Sequence, residues 1–385
     1  MFPDIAYLDW ISGRPEEAEY DLGSSDLRRA PAEPNEVVPP ALAGTPTPGA
    51  TVEQLVADEY GVGPENVLVT AGATHANFLA EAAALSKAED RADEDGEADD
   101  EESATHRVLV EKPGYEPLLA TPEGLGATVD RFFRPPDEGY PLDPDRVDAA
   151  LLEDTVLVSV SNRHNPSGRR TDREDLAEVA RTVGDGGATL LVDEVYAPFG
   201  GELTLDLSSQ RSSPVGPFGG PSAVDLPNTV VTNSLTKFFG FGDLRLGWLV
   251  ADADFVARAR SVKNHVPAVA EPSRRLARRV LADADSLVPE SRERIRTNRE
   301  ALAEFADKRG DLLGRVEEGC TYAFLSHESA DGDEVARSAW DEGVLVVPGR
   351  FFDDPESFRI SACGTPSEVR AGLDRFGDVL DGLTE

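Results

Sequence analysis

The most constraining feature of this sequence is a series of short, almost continuously apolar runs that alternate with helical patterns. The runs are NVLVT (66–70), RVLVE (107–111), TVLVSVS (155–161), ATLLVDEVY (188–196), NTVVTNS (228–234) and LGWLVA (246–251). Strands that are apolar on both sides are typical of a parallel sheet covered by helices on both faces. Alternation of this kind over roughly 200 residues predicts an α/β fold with a large, mostly parallel sheet.

The pattern changes after residue 252. Helical segments rich in Arg, Glu and Ala run to about Lys308, and three short apolar runs follow, CTYAFLS, GVLVVPG and SFRISA. This arrangement predicts a smaller α+β domain. We place the large domain at 45–265 and the small domain at 1–44 and 266–385. An acidic stretch, in which ten of the fourteen residues 89–102 are Asp or Glu, predicts a solvated loop over 88–106.

Charge and composition exclude several classes of function. The formal net charge is −36, which disfavours nucleic acid and anionic membranes as partners because phosphates would be repelled. The acidic N-terminal region and the absence of a long apolar run predict a cytoplasmic location. Two cysteines and five histidines without ligand spacing predict no metal site. Many acids with few lysines favour a protein adapted to high salt over an ordinary acidic protein.

Polar residues follow the predicted strands, at the edge where open α/β sheets bind ligands. They include Asn165, Asp193, Ser234, Thr236 and Lys237. A glycine-containing turn into a helix at Ala73 and Thr74 offers backbone N–H groups to a phosphate, and Arg245 precedes the last strand. Lys237 is one of only 5 lysines beside 32 arginines, which indicates a task that needs an amine able to lose its proton. This set matches the needs of pyridoxal phosphate, which has a phosphate, a ring nitrogen, a ring hydroxyl and an aldehyde.

Four motifs in this order resemble those of the fold-type I, pyridoxal-phosphate-dependent aminotransferases of class I and II. They are NPSG (165–168), DEVY (193–196), SLTK with RLG (234–247) and the late arginine of FRISACG (358–364). The resemblance covers roughly residues 52–363. It implies the fold of that family, pyridoxal 5'-phosphate as cofactor, an α-amino acid and a 2-oxo acid as substrates, and a homodimer.

The resemblance also implies a role for each site residue. Lys237 would form the Schiff base with the cofactor and shuttle a proton, and Asp193 would pair with the ring nitrogen. Asn165 and Tyr196 would bind the ring oxygen, and Tyr115 would stack on the ring. The phosphate would be held by Ser234, Thr236, Arg245 and the backbone at Ala73 and Thr74. Arg359 would bind the substrate carboxylate, while Gly23 would let the backbone approach the ligand.

Three hypotheses stay open at the level of sequence, and the aminotransferase is the first. The same cofactor supports a lyase or decarboxylase, because the bond that breaks depends on substrate orientation. A non-catalytic effector-binding domain is the third alternative, although the chain lacks the basic DNA-binding extension that such regulators carry. The stretch PPALAGTPTPGATVEQL (39–55) also lacks the tyrosine with which many relatives reach the neighbouring subunit's phosphate.

Overall fold

The computed structural model describes residues 2–95, 106–200, 216–266 and 269–383. Its helices are α1 (Ala6–Ile11), α2 (Arg14–Glu17), α3 (Val52–Tyr60), α4 (Ala73–Asp95), α5 (Pro117–Gly124), α6 (Pro144–Ala150), α7 (Arg173–Asp185), α8 (Ala253–Lys263), α9 (Glu271–Ala282), α10 (Ala284–Asp307), α11 (Gly332–Asp341) and α12 (Pro366–Leu383). Its strands are β1 (Tyr20–Asp21), β2 (Val67–Thr70), β3 (Arg107–Lys112), β4 (Thr128–Phe133), β5 (Thr155–Ser161), β6 (Thr189–Asp193), β7 (Thr229–Ser234), β8 (Gly247–Val250), β9 (Leu312–Arg315), β10 (Tyr322–His327), β11 (Val344–Leu345), β12 (Val347–Pro348) and β13 (Ser357–Ser361).

The large sheet has seven strands in the order β2-β8-β7-β6-β5-β3-β4. Strands β4, β3, β5, β6 and β7 pair in parallel, and β8 runs antiparallel to both β7 and β2. Alternate residues of β6 enter two different cores, with Leu190 and Val192 on one face and Leu191 on the other. The prediction of a mostly parallel sheet covered on both faces is therefore confirmed.

One strand of this sheet escaped sequence reasoning. Strand β4 is an edge strand in which most residues are only partly buried. Its Asp130 pairs with Arg107 at 2.9 Å, and its Arg131 pairs with Asp353 at 2.7 Å. Charged residues at consecutive positions conceal the apolar run that identified the central strands.

The predicted acidic loop at 88–106 begins too early and is corrected by the structure. Helix α4 continues to Asp95, so the first eight residues of that segment are helical. Arg258 of α8 forms an ion pair with Asp90 at 2.5 Å and donates a hydrogen bond to Ser86. These contacts hold α4 against α8 beyond the point where the charge density alone predicts a loop. The remainder of the acidic stretch, 96–105, lies outside the described residues.

The smaller domain contains a four-stranded antiparallel sheet in the order β12-β13-β10-β9. Its core joins side chains from α10, α11 and α12. Strand β1 pairs in parallel with β11, which places Tyr20 and Asp21 beside this unit. The predicted α+β character is thus confirmed, whereas the exact boundaries at 44/45 and 265/266 stay predictions.

The segment 22–29 joins the two units. The Leu22 carbonyl accepts a hydrogen bond from the Ser361 N–H at 2.7 Å, next to β13. Five residues later, the Leu27 N–H donates to the Lys237 carbonyl at 2.9 Å, beyond the end of β7. This segment therefore brings the N-terminal region to the edge of the large sheet where the polar residues cluster.

None of the helices in the described ranges is long and apolar enough to cross a bilayer.

Candidate active site

The strand register gathers the predicted polar residues at one edge of the large sheet. Ser161 of β5 lies opposite Asp193 of β6, which lies opposite Thr232 of β7. A cavity of about 300 Å³ opens at this edge. Eleven of the predicted site residues line it: Ala73, Thr74, Tyr115, Asn165, Asp193, Tyr196, Ser234, Thr236, Lys237, Arg245 and Arg359.

Asp193 lines the cavity, is buried and is held from two sides. Its Oδ2 accepts a hydrogen bond from Asn77 Nδ2 at 2.9 Å, and its Oδ1 accepts one from the Val195 N–H at 3.1 Å. Asn77 is itself fixed by Thr232, which donates to its Oδ1 at 2.6 Å. Burial raises the pKa of Asp193, against the opposing effect of these N–H donors and of the charge on Lys237. A cationic ligand at this position would hold the carboxylate in its ionised form.

Lys237 follows β7 and points toward residues from the N-terminal segment and from the loop after β6. Its Nζ donates to Ser25 Oγ at 3.2 Å and lies 5.8 Å from the centre of the Tyr196 ring. Burial disfavours the ammonium form, but the oxygens of Tyr196 and Asp26 outweigh it, so the pKa of Lys237 is raised. The amine is therefore charged in the protein alone, and must lose a proton before it acts as a nucleophile.

The part of the cavity lined by Gly72, Ala73, Thr74 and Arg245 carries donors for an anion, and Thr74 and Arg245 are exposed there. Helix α4 begins at Ala73, so the backbone N–H groups of Ala73 and Thr74 lack a carbonyl partner within the helix. Gly72 has a φ of +95°, and a Cβ there would lie 3.4 Å from Arg245 Nη2. Arg245 is exposed and has no carboxylate partner among the residues in the described ranges. A glycine, a helix N-terminus and an unpaired guanidinium at one place form a cradle for a phosphate.

Arg359 of β13 closes the side of the cavity that belongs to the smaller domain. It is 1% exposed. Its Nη1 donates to Asn165 Oδ1 at 2.9 Å, while its Nη2 donates to Tyr7 Oη at 3.2 Å and to the Gly23 carbonyl at 3.1 Å. Its Nε is buried without a partner among the described residues. Gly23 is not among the residues that line the cavity, and its carbonyl contacts Arg359 instead. A Cβ at Gly23 would be only 2.7 Å from Leu345.

Sequence reasoning missed four polar residues that shape the site: Tyr7, Ser25, Asn77 and Ser161. The hydroxyl of Tyr7 contacts Arg359 across 352 residues of sequence, and no local pattern announces such a contact. Asn77 did offer a signal, because it interrupts the apolar face of α4 that includes Ala76 and Leu79. A buried amide on a face that packs against strand ends indicates a hydrogen-bonding task.

The residues present fit pyridoxal phosphate. The anion cradle, the Asp193 carboxylate and the Lys237 amine all line the same cavity. A phosphate needs the first, a pyridinium nitrogen the second and an aldehyde the third. Metal ligation has no comparable basis, since no group of three or more His, Cys, Asp or Glu within the described ranges could hold an ion. A second, larger cavity of about 690 Å³ near Arg163 contains none of the predicted residues.

Comparisons with known proteins agree with this geometry. The family model for aminotransferase class I and II matches residues 39–376. Capreomycidine synthase from Streptomyces vinaceus is 28% identical, over 98% of this chain and 94% of its own length. Histidinol-phosphate aminotransferase from Haloferax volcanii is 27% identical, over 97% and 96% respectively. A solved structure of a PLP-dependent aminotransferase from Streptococcus suis superposes with a TM-score of 0.79 at 20% identity, covering 100% of this chain and 99% of that one.

The chain belongs to the class I and II aminotransferase family. Its fold is that of the fold-type I enzymes, and its cofactor is pyridoxal phosphate. It is an aminotransferase that moves an amino group between an α-amino acid and a 2-oxo acid. The predicted family, fold class, cofactor and type of reaction are therefore confirmed.

Proposed function

We propose that the cavity beside Lys237 is the active site and that its walls divide the work of transamination. The observation that carries this proposal is that Lys237, Asp193 and the anion cradle all open onto one cavity of about 300 Å³. When bound, pyridoxal phosphate links to an amine through its aldehyde and withdraws electrons from the substrate's α-carbon. The protein's share is to hold the cofactor, orient the substrate and move protons.

Asp193 and Tyr196 set the electronic state of the ring. The Asp193 carboxylate would pair with the protonated ring nitrogen and keep it cationic, because a buried ion pair disfavours loss of that proton. Tyr196 and Asn165 would donate to the ring oxygen. Tyr115 would pack on the ring; its own ring lies edge-on to Tyr7 at 5.8 Å, which fixes its orientation.

The phosphate is held by the cradle at the N-terminus of α4 together with Ser234, Thr236 and Arg245. Arg245 contributes a planar fork that can bind two phosphate oxygens at once. Its contribution is a charge-assisted contact at the exposed end of the cavity. These residues would keep the cofactor in place whether or not it is linked to Lys237.

Lys237 and Arg359 act on the substrate. Lys237 would take the proton of the substrate's α-carbon on its Nζ and give it up again later in the reaction. Arg359 binds the α-carboxylate, and its Nε–H is free of other partners within the described structure. Lys237 and Arg245 serve the cofactor, so Arg359 is the remaining cation on the described wall, alongside Tyr7, Leu8 and Leu118. We therefore propose an amino donor with an uncharged side chain.

The reaction and the donor class can be tested with the cofactor-loaded enzyme and single amino acids. A transaminase converts its cofactor to pyridoxamine phosphate when an amino donor alone is supplied, and the visible spectrum reports this change. We expect the change with neutral donors such as leucine or phenylalanine. If aspartate proves to be the best donor, the donor class is wrong but the transaminase assignment stands.

A second candidate is cofactor chemistry without net amino transfer, as in a lyase. The observation that favours it is the 28% identity to a protein named capreomycidine synthase over nearly the whole chain. Under this alternative the substrate changes while the cofactor returns to its aldehyde form. Mass spectrometry of the products, with and without a 2-oxo acid, distinguishes the two: only a transaminase requires the acceptor for turnover.

We propose further that the enzyme is a cytoplasmic homodimer adapted to high salt. The exposure of Thr74 and Arg245 in the single chain supports a second subunit near the phosphate end. The net charge of −36 supports the salt adaptation, because counterions reduce self-repulsion among carboxylates. Light scattering at increasing KCl tests the dimer, because a single-subunit mass at every KCl concentration would contradict it. Thermal unfolding over the same KCl range tests the adaptation, because a melting temperature that does not rise with salt would contradict it.

A further inference from the structure

Ser25 occupies an unassigned position between two residues of the site. Its Oγ lies 2.6 Å from Tyr196 Oη and accepts a hydrogen bond from Lys237 Nζ at 3.2 Å. The side chain is buried, with 2% of its surface exposed, and it lines the same cavity. One hydroxyl therefore bridges the amine that must gain and lose a proton and the phenol beside it.

Main-chain hydrogen bonds fix the position of this hydroxyl. The Leu27 N–H donates to the carbonyl of Lys237 itself at 2.9 Å, and the Arg29 N–H donates to the Gly240 carbonyl at 3.2 Å. On the other side, the Gly23 carbonyl accepts from Arg359. The backbone around Ser25 is thus hydrogen-bonded directly to the backbone that carries Lys237. The contact between the Ser25 hydroxyl and the Lys237 amine is therefore fixed by the main chain.

A hydroxyl suits a neighbour whose protonation state changes. A lysine ammonium only donates hydrogen bonds, whereas the neutral amine also has a lone pair that accepts. Ser25 can accept from the ammonium while it donates to Tyr196. After the proton has left, the neutral amine still has N–H groups that can donate to Ser25 Oγ. Ser25 therefore goes on donating to Tyr196, the Tyr196 proton stays available for the ring oxygen, and the amine lone pair stays free to take a proton. Both states keep their hydrogen bonds, and no net proton passes through Ser25.

We propose that Ser25 is a positioning residue that keeps Lys237 hydrogen-bonded, and aimed into the cavity, through both of its protonation states. The proposal rests on the proposed function, since it needs Lys237 as the proton carrier. It goes beyond that function by adding a residue from the N-terminal segment to the proton-handling apparatus. An apolar residue at this place would leave the ammonium with one acceptor fewer, and charge-assisted hydrogen bonds are the stronger ones.

Other charged and titratable groups also act on Lys237 and must be held constant in any test. They come from several elements: Tyr7, Asp26, Tyr115, Asp193, Tyr196 and Cys363. Substituting Ser25 removes none of them. A change in the behaviour of Lys237 in a Ser25 variant therefore reports on the hydroxyl.

The first experiment measures the amine without the reaction. Cofactor-free protein is trace-labelled with acetic anhydride at fixed pH, and the extent of labelling at Lys237 is compared with that at Lys308 of the same molecules. Loss of the hydroxyl in Ser25→Ala should lower the pKa of Lys237 by about one unit and speed its labelling about tenfold relative to Lys308. Ser25→Thr retains a hydroxyl and should stay near the wild type. Ser24→Ala, whose hydroxyl instead accepts from Arg28, is the matched control.

The second experiment measures turnover. In Ser25→Ala we expect kcat to fall by about tenfold or more and KM for the amino donor to change far less, because substrate binding is left to Arg359. Ser25→Thr should recover most of the loss. The proposal is overturned if both the labelling ratio and kcat of Ser25→Ala stay within about twofold of Ser24→Ala.

A double-mutant cycle with Tyr196→Phe separates the bridge from a simple change in access. If the hydroxyl works through Tyr196, the labelling effect of Ser25→Ala should shrink in the Tyr196→Phe background. Equal effects in both backgrounds would mean that Ser25→Ala merely opens the cavity. Failure of the wild type to transaminate would count against the proposed function alone, since labelling needs no turnover.

Discussion

The two walls of the active site are built in different ways. The wall from the large sheet holds Asp193, Asn77 and Thr232, which come from adjacent strand ends and the helix packed on them. The wall from the smaller domain joins Arg359 to Gly23 and Tyr7 across 336 and 352 residues of sequence. Topology alone assembles the first wall, whereas the second depends on how the N-terminal segment lies across both units. In the proposed function the first wall binds the cofactor and the second binds the substrate.

The largest effect should come from breaking the first wall at Asp193. Asp193→Asn preserves the shape and can still accept from Asn77, but it removes the charge that keeps the ring nitrogen protonated. We expect kcat to fall by about 10³-fold with little change in KM, as for loss of a strong preorganised electrostatic contact. Steady-state kinetics with a neutral amino donor measures this.

Glu194→Gln is the matched control for that experiment. Glu194 is the adjacent buried carboxyl, but it accepts from the Ala223 N–H at 2.6 Å and does not line the cavity. Its kcat should remain within a few-fold of the wild type. Equal losses in the two variants would show that Asp193 acts through structure rather than through its charge at the ring.

The contrast between the walls also explains what the sequence could and could not reveal. Asp193, Ser234 and Lys237 were predictable because apolar runs mark strands, and the carboxyl ends of parallel strands share one edge. Ser25 and Tyr7 were not, because their partners are set by tertiary packing of an irregular segment. Arg359 was found only through a resemblance of motifs. Strand β4 and the helical end of α4 were misread because charge obscured the underlying pattern.

A smaller effect, confined to binding, should follow from changing the second wall at Arg359. Arg359→Lys keeps the charge but loses the planar fork that contacts Asn165, Tyr7 and Gly23 together. We expect KM for the amino donor to rise about 10- to 100-fold, which corresponds to a charge-assisted hydrogen bond. The effect on kcat should be the lesser one.

Arg294→Lys provides the comparison for Arg359. Arg294 is half-buried, whereas Arg359 is fully buried, and it donates to the main-chain carbonyls of Cys363 and Gly364, outside the cavity. The Arg294→Lys variant should have an unchanged KM for the amino donor. A rise in KM of similar size in both variants would assign the effect to the smaller domain's stability and not to the substrate carboxylate.

Glu194→Gln should have the smallest effect on activity. It should instead change how the free energy of unfolding depends on pH. Burial raises the pKa of Glu194 to about 8. The folded state therefore retains a proton that the unfolded chain releases above a pH of about 4.3, so this group's contribution to stability is lost as the pH rises toward 8. The free energy of unfolding of the wild type should fall by up to about 1 kcal/mol per pH unit relative to the variant.

Denaturant titrations of both proteins across that pH range, at one salt concentration, measure the difference. The comparison cancels the general repulsion among the other carboxylates, which both proteins share. Parallel stability curves for wild type and variant would show that Glu194 ionises in the folded state as it does in the unfolded chain.

The most direct measurement locates the cofactor on the chain. Holoenzyme is reduced with borohydride and digested, and the pyridoxyl group is mapped by mass spectrometry among the 5 lysines. We expect the label on Lys237, and its loss in Lys237→Ala while Lys308→Ala stays fully labelled. A label on any other lysine of the wild type, or undiminished labelling of Lys237→Ala, would contradict this assignment.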